Sequence, residues 1–234
     1  MDRRERFSDP EEDLRMALDS SAASLWVALP AIVESVDFSA MTITAQPALT
    51  GTQNAPDGST SSVKMPLLVD VPICYQGGGG YIMTMPIAKG DECLIIFADR
   101  CIDAWWQSGG VQAPIESRVH DLSDGFAIVG VRSQPKKVPN ISSSKVQIRS
   151  DDGSVFVEID KTGKVNITAP ASVTIDSPST TITGTLHVNG AISTDSTVTA
   201  SGEVTGNGIH LSTHTHAQSP DSSGDSQPNT SAPL

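Results

Sequence analysis

Near its carboxyl end the chain reads Gly208-Ile209-His210-Leu211-Ser212-Thr213-His214-Thr215-His216. Histidines at i and i+2 of an extended chain share a face and sit about 7 Å apart, so two imidazoles can converge on one point. Imidazole nitrogen ligates zinc, copper, iron and nickel. One chain offers His214 and His216, too few ligands to enclose an ion. Three chains meeting at an axis would offer an octahedral nitrogen set, which suits iron(II) better than zinc with its usual preference for four ligands. An isolated His-x-His is commonly just a solvated pair; what decides here is the element that ends in it. His210 alternates with Ile209 and Leu211 and is expected to face solvent, unless the strand runs straight enough to add it to the face of His214.

Other residues with chemical potential carry less. Trp105-Trp106 could stack a sugar or a base on a barrel surface, but large apolar side chains serve cores and interfaces more often. Gly77 to Gly80 lacks the Lys-Ser/Thr of a phosphate loop and reads as a flexible loop tip. Asp99, Asp103, Asp121 and Asp124 surround His120 in sequence, yet their spacing names no nucleophile and no acid/base pair. His120 and His187 read as ordinary surface or loop histidines. No catalytic motif is visible, and the chain is not expected to be an enzyme.

The element that ends in the histidines is unusual. All ten aromatic residues lie between Phe7 and Phe156, and the last basic residue is Lys164, so residues 165–234 contain no Lys, Arg, Phe, Tyr or Trp. Ser and Thr make up roughly a third of the sequence from Ile141 on, a bias usual in disordered segments. The pattern inside it is nevertheless ordered. Val155, Val157 and Ile159, then Val165 and Ile167, then Val173 and Ile175 alternate with polar residues, the period of strands with one buried face. Aliphatic residues continue at Ile182, Leu186, Val188, Ile192, Val198 and Val204, punctuated by Pro170, Pro178, Gly184, Gly190, Gly202 and Gly206. Their parity changes at the punctuation, so a turn or kink resets the face.

Such short strands cannot repay by themselves an ordering cost of about 1–2 kcal/mol per residue. A single-chain solenoid would show repeats of about 20 residues or more, whereas the step here is much shorter. Three copies wound about a common axis, each adding a thin aliphatic stripe to a narrow shared core, fit better. A slender axis has room for Val, Ile, Leu and Thr and little for a ring.

The front of the chain reads as an ordinary domain. Ser8 with Glu11, Pro10 in the first turn, and Leu14 and Leu18 one turn apart predict a short helix to about Ser21. Strands are expected over Leu25 to Val36, Met41 to Gln46, Met65 to Cys74, Gly80 to Pro86, Glu92 to Ala98 and Phe126 to Val131. Gly51 to Ser62 reads as a long polar hairpin loop, and Lys89-Gly90-Asp91 as a tight turn. This many strands suits a small closed Greek-key barrel such as an OB-fold.

Composition narrows the function classes. With 27 Asp+Glu against 15 Lys+Arg, the net charge is −12, and Arg3-Arg4 and Lys136-Lys137 are the only adjacent basic pairs. No nucleic-acid partner is expected, because neutralising phosphates takes clustered Lys and Arg. No run approaches the roughly 20 apolar residues of a membrane-spanning helix, and the charged amino end is no signal peptide. A soluble chain made in the cytoplasm is expected. Cys74, Cys93 and Cys101 read as buried thiols of a reducing compartment.

Several segments together carry a resemblance. They are Leu29-Pro30-Ala31-Ile32-Val33-Glu34-Ser35-Val36, Ala45-Gln46-Pro47, Val69-Asp70-Val71-Pro72, Pro86-Ile87-Ala88-Lys89-Gly90-Asp91, Asp99-Arg100-Cys101-Ile102-Asp103 with Trp105-Trp106, and Arg118-Val119-His120-Asp121-Leu122-Ser123-Asp124. This set resembles the amino-terminal domain of the central membrane-piercing spike of contractile-tailed bacteriophages. The β-repeat region followed by His214-Thr215-His216 resembles the tip of those spikes. The resemblance covers nearly the whole chain. It implies a mainly β homotrimer: an OB-fold collar that docks to the baseplate hub protein, a triple-stranded β-helix, and an apex where His214 and His216 of each chain bind one buried iron ion per trimer. Some related spikes carry a lysozyme domain, for which residues 131–155 leave no room.

The layout expected on this basis is an amino-terminal arm (1–24), an OB-fold collar (25–139), a triple-stranded β-helix shaft (140–209) and a tip with a Ser/Pro-rich tail (210–234). Such a protein would sit in the tail baseplate of the virion and would cross the host outer membrane mechanically and transiently, driven by sheath contraction. Two other classes compete: a carbohydrate-binding tail adhesin or fibre using Trp105 and Trp106, and a metal-dependent hydrolase using His214 and His216.

Overall fold

The computed structural model describes residues 10–23 and 25–232, and the chain divides into two units between Ser172 and Val173. In the first unit, helix α1 (Pro10–Ala23) opens with a proline, whose missing N–H costs nothing in the first turn. Glu11, Glu12 and Asp13 follow at the positive end of the helix dipole. The helix runs past the expected end at Ser21 and buries no side chain. Ser8, the expected cap, lies outside the described residues.

Strands β1 (Ala28–Asp37), β2 (Thr42–Pro47), β3 (Thr50–Asn54), β4 (Thr60–Lys64), β5 (Leu68–Pro72), β6 (Gln76–Gly78), β7 (Tyr81–Met83), β8 (Glu92–Phe97) and β9 (Gly125–Val129) follow, with helix α2 (Asp103–Ser108) before β9. Five of them form one antiparallel sheet in the order β5-β2-β1-β8-β9. The sheet curls on itself: Ile73, just past β5, bridges Ala127 on β9, and the Cys74 N–H donates to the Ala127 carbonyl at 2.8 Å. The result is an OB-like half-barrel.

Alternation along the strands builds its core. Leu29, Ala31 and Val33 of β1, Ile43 and Ala45 of β2, Cys93, Ile95 and Phe97 of β8, and Ala127 of β9 all point inward and are buried. Full burial of each larger aliphatic is worth about 1.5–3 kcal/mol. Glu34 is an extra residue between Val33 and Ser35 in the β1–β2 register, a bulge that sharpens the local twist. It reaches out to Lys89 at 2.6 Å.

Three expectations need correction here. Gly51 to Ser62 is not a plain loop but most of the two-stranded ribbon β3–β4. The expected strand Gly80 to Pro86 is only Tyr81–Met83, paired with β6 as a separate ribbon. Cys93 and Cys101 are buried and free as expected, whereas Cys74 is exposed.

The same unit carries a second sheet, of β10 (Lys145–Arg149), β11 (Phe156–Asp160) and β12 (Val165–Thr168), antiparallel and in sequence order. Its two faces are sorted apart from Phe156, a half-buried ring that pairs with Arg149 and Thr168 on the otherwise polar face. One face pairs Val146 with Ile159, Ile148 with Val157, Val157 with Ile167 and Ile159 with Val165. All six residues of this apolar face are between 42% and 72% exposed. The opposite face centres on Glu158, only 5% exposed, which accepts hydrogen bonds from Lys145 Nζ (2.6 Å), Gln147 Nε2 (2.8 Å) and Asn166 Nδ2 (2.8 Å). The hydrogen bond from Lys145, followed by those from Asn166 and Gln147, holds the Glu158 carboxyl down at about 2. The polar face is thus satisfied within one chain and the apolar face is bare.

Two arginines tie this sheet to the barrel side of the unit. Arg132 makes a two-pronged pair with Asp151, both contacts 2.8 Å. Arg149 donates to the carbonyls of Pro139 (3.0 Å) and Asn140 (2.8 Å). Its guanidinium passes so close to the turn at Gly153 (φ +73°) that an added Cβ would stand 2.6 Å from Nη2.

In the second unit, residues 173–204 form no strand pair among the described residues. Val173, Ile175, Ile182, Leu186, Val188, Ile192, Val198 and Val204 are all exposed. Pairing resumes in a small hairpin of β13 (Thr205–Gly206) and β14 (Ile209–His210).

Candidate metal site

The hairpin β13–β14 fixes where the histidines begin. Its two-residue turn is Asn207 (φ +49°) and Gly208 (φ +79°), both left-handed, which is the type I′ geometry that Asn-Gly favours because it matches strand twist. The ladder continues outward through the Leu211 N–H to the Val204 carbonyl (2.9 Å) and the Ser212 N–H to Glu203 Oε1 (3.2 Å). The Ser212 hydroxyl also bonds Glu203, and this bond first of all keeps the Glu203 carboxyl below its ordinary range.

His210 lies across the hairpin from Thr205, with Nδ1 3.2 Å from its hydroxyl oxygen. Its carbonyl accepts from the His214 N–H at 3.0 Å, so the chain makes one turn between them. The half-buried His214 places Nδ1 2.8 Å from the Leu211 carbonyl oxygen. A carbonyl only accepts, so Nδ1 carries the hydrogen and the lone pair sits on Nε2. Ligating histidines are usually oriented by such a bond from the other ring nitrogen.

The ring of His216 lies edge-on to that of His214, with centroids 5.1 Å apart. The structure therefore brings together the two histidines singled out from sequence, while His210 is engaged with Thr205. Two imidazoles, one with its Nδ1 already committed to a carbonyl, are a donor set that fits a first-row transition metal, and one chain supplies only part of its coordination. The backbone of His216 is held by a residue that sequence reasoning did not single out. Its N–H donates to Thr230 Oγ1 at 2.9 Å, and its carbonyl accepts from the Thr230 N–H at 2.9 Å. Between them, the Asp221 side chain accepts from the Ser223 and Asp225 N–H groups, turning the tail back.

The carboxylates near His120 do something else. Asp124 is wholly buried, and its side chain is committed to Arg118, with Nε at 2.7 Å and Nη2 at 3.0 Å, and to the Ile102 N–H at 2.9 Å. Asp103 meets the same guanidinium at 2.7 Å, and this bond lowers its pKa. Cys101, Asp103 and Asp124 offer donor atoms within 4.8 Å of one another, but the cation they face is Arg118. The group is a partly buried ion-pair network, built on the buried Asp124, that ties α2 to the barrel. His120 approaches Asp99 at 3.3 Å through Nε2, and its buried Nδ1 has no hydrogen-bond partner among the described residues.

Trp105 and Trp106 are not core residues; they are 44% and 38% exposed. Their planes are tilted by 43°, and Trp105 meets Phe126 edge-on at 5.7 Å. Among the described residues no helix is long and apolar enough to cross a membrane.

No curated protein matches the chain. Residues 29–130, which span the half-barrel from β1 to the end of β9, match the family described as phage protein Gp138 N-terminal domain, and this indicates a phage structural protein domain over those residues.

Proposed function

We propose that the chain is one subunit of a trimeric phage baseplate spike that punctures the host outer membrane mechanically. One observation carries this reading: from Val146 to Leu211 a series of exposed aliphatic residues, free of tryptophan and tyrosine, finds no cover within a single chain. On the sheet β10–β12 the uncovered face holds six such residues, and about half their burial is still to be gained. Covering them is worth on the order of 5–10 kcal/mol per chain. Two further copies are the natural cover, because each brings an identical stripe that itself carries no ring, Phe156 lying on the opposite face, so that three stripes can meet at a narrow axis.

The parts then divide the work. The half-barrel is the collar that docks to the baseplate hub, in keeping with its match to a phage domain. Residues 140–209 form a triple-stranded shaft in which each chain supplies hydrogen-bond partners to the next, leaving no open sheet edge. At the tip, His214 and His216 of three chains hold one iron ion, which when bound ties together three chain ends that would otherwise fray. The acidic shaft, without a basic or aromatic belt, has no affinity for a bilayer and passes through it under load. The spike does no catalysis.

Sedimentation equilibrium combined with metal analysis tests the reading. A trimer with one iron per three chains is expected, and a 24.5 kDa monomer would sink it. The exposure of Trp105 and Trp106 favours a second reading, a saccharide-binding tail adhesin. That reading requires glycan binding that Trp105→Ala abolishes.

A further inference from the structure

We propose that Thr230 is the positioning residue of the histidine pair, and that the tail between them is a clasp closed on the second histidine. The two histidines are secured from opposite directions along the chain. His214 is fixed from upstream, through its N–H to the His210 carbonyl at 3.0 Å and its ring Nδ1 to the Leu211 carbonyl at 2.8 Å. His216 has no such upstream bond among those described; its backbone N–H and carbonyl both go to Thr230, each at 2.9 Å.

This reciprocal pair closes a loop of chain that the Asp221 turn reverses. The Asp221 N–H donates to the Asp225 carbonyl (3.1 Å), and Asp221 Oδ1 accepts from Ser223 (2.9 Å) and Asp225 (3.0 Å). Thr230, like Gln227, is half-buried in a mostly exposed tail. Holding the His216 backbone against Thr230 limits the directions its ring can take, and so sets its spacing from the ring of His214. Without the clasp, the residue following Thr215 would be free to rotate, and the second imidazole would have to be ordered at the moment of metal binding. The role rests on the metal reading given above, but the clasp itself is a feature of the chain.

The test uses the full-length protein, with cobalt(II) as the probe, followed by its visible absorption, and hydrogen exchange at the His216 amide as an independent measure. In Thr230→Val the amide should exchange at least about tenfold faster, and cobalt affinity should fall roughly 10- to 100-fold, the usual cost of losing an outer-shell partner. Thr230→Ser, which keeps the hydroxyl, should restore both. Unchanged exchange in Thr230→Val overturns the clasp. Faster exchange with unchanged cobalt affinity overturns the positioning role while leaving the metal reading standing. A wild-type protein that takes up no cobalt overturns the metal reading and the positioning role together, and the exchange data then show whether the clasp exists for another purpose.

Discussion

The Nε of Arg118 lies 2.7 Å from Oδ2 of Asp124, a carboxylate fully shielded from solvent inside the half-barrel. Removing one partner of such a pair strands a buried charge. Arg118→Met should destabilise the half-barrel by about 3–5 kcal/mol. Arg118→Met combined with Asp124→Asn should recover a large part of that loss, read as the midpoint of chemical denaturation. Equal destabilisation in the single and double variants would mean that the pair is not the source of the effect.

The apolar face of β10–β12 gives a sharper prediction about assembly. Val157 pairs with both Ile148 and Ile167 and occupies the centre of that face. Val157→Asp should leave the half-barrel's melting transition in place and shift the proposed trimer to monomer in sedimentation. Substituting the oppositely directed Gln147→Asp should weaken the polar face without dissociating the trimer. A trimer untouched by Val157→Asp would show that this face is not covered by other copies.

Glu158 makes the small sheet sensitive to acid. Its carboxyl is held at about 2 by Lys145, Asn166 and Gln147, below the ordinary carboxylate value of about 4.3. A depressed folded-state pKa contributes stability that is fully present above the unfolded value and is lost as pH falls toward the folded one. The transition of residues 145–168, followed by hydrogen exchange, should therefore weaken between about pH 4.5 and pH 2. In Glu158→Gln this part of the pH dependence should flatten.

The histidine pair predicts a local loss only. His214→Ala with His216→Ala should abolish the proposed stoichiometric iron while the half-barrel keeps its denaturation midpoint. Iron retained by the double variant would move the site elsewhere in the chain.

Much of the half-barrel was legible because its strands have one covered face. Cys93, Ile95 and Phe97 alternate in the sequence and point inward in the structure. The ribbon β3–β4 was read as a loop because both of its faces are exposed and mostly polar, which leaves no periodicity to see. β10 carried a usable signal, the alternation Lys145-Val146-Gln147-Ile148-Arg149, and Asn207-Gly208 was a hairpin signal of equal quality.

Alternation can show that Val157 and Ile159 share a face, but not whose side chains cover it. The spacing of His214 and His216 was enough to foresee that their rings would meet. The bond between Thr230 and His216 was beyond reach, since a single threonine in a Ser/Pro-rich tail carries no local pattern. The Arg118 network was equally hidden: its acids were visible in sequence, but the cation that unites them comes from the loop before β9.

The small sheet also bears on how the three chains of the proposed trimer would find the same level. Its polar face is complete before any partner arrives, so each copy carries a preset template of six aliphatic side chains at the point where the weakly patterned region begins. Offsetting one copy by a single residue would set polar side chains against aliphatic ones. Residues 173–204, which form no strand pair among the described residues, would in the proposed trimer take their alignment from that template. In the proposed trimer the sheet acts as an alignment key, and an error there would be copied along every later turn of the shaft.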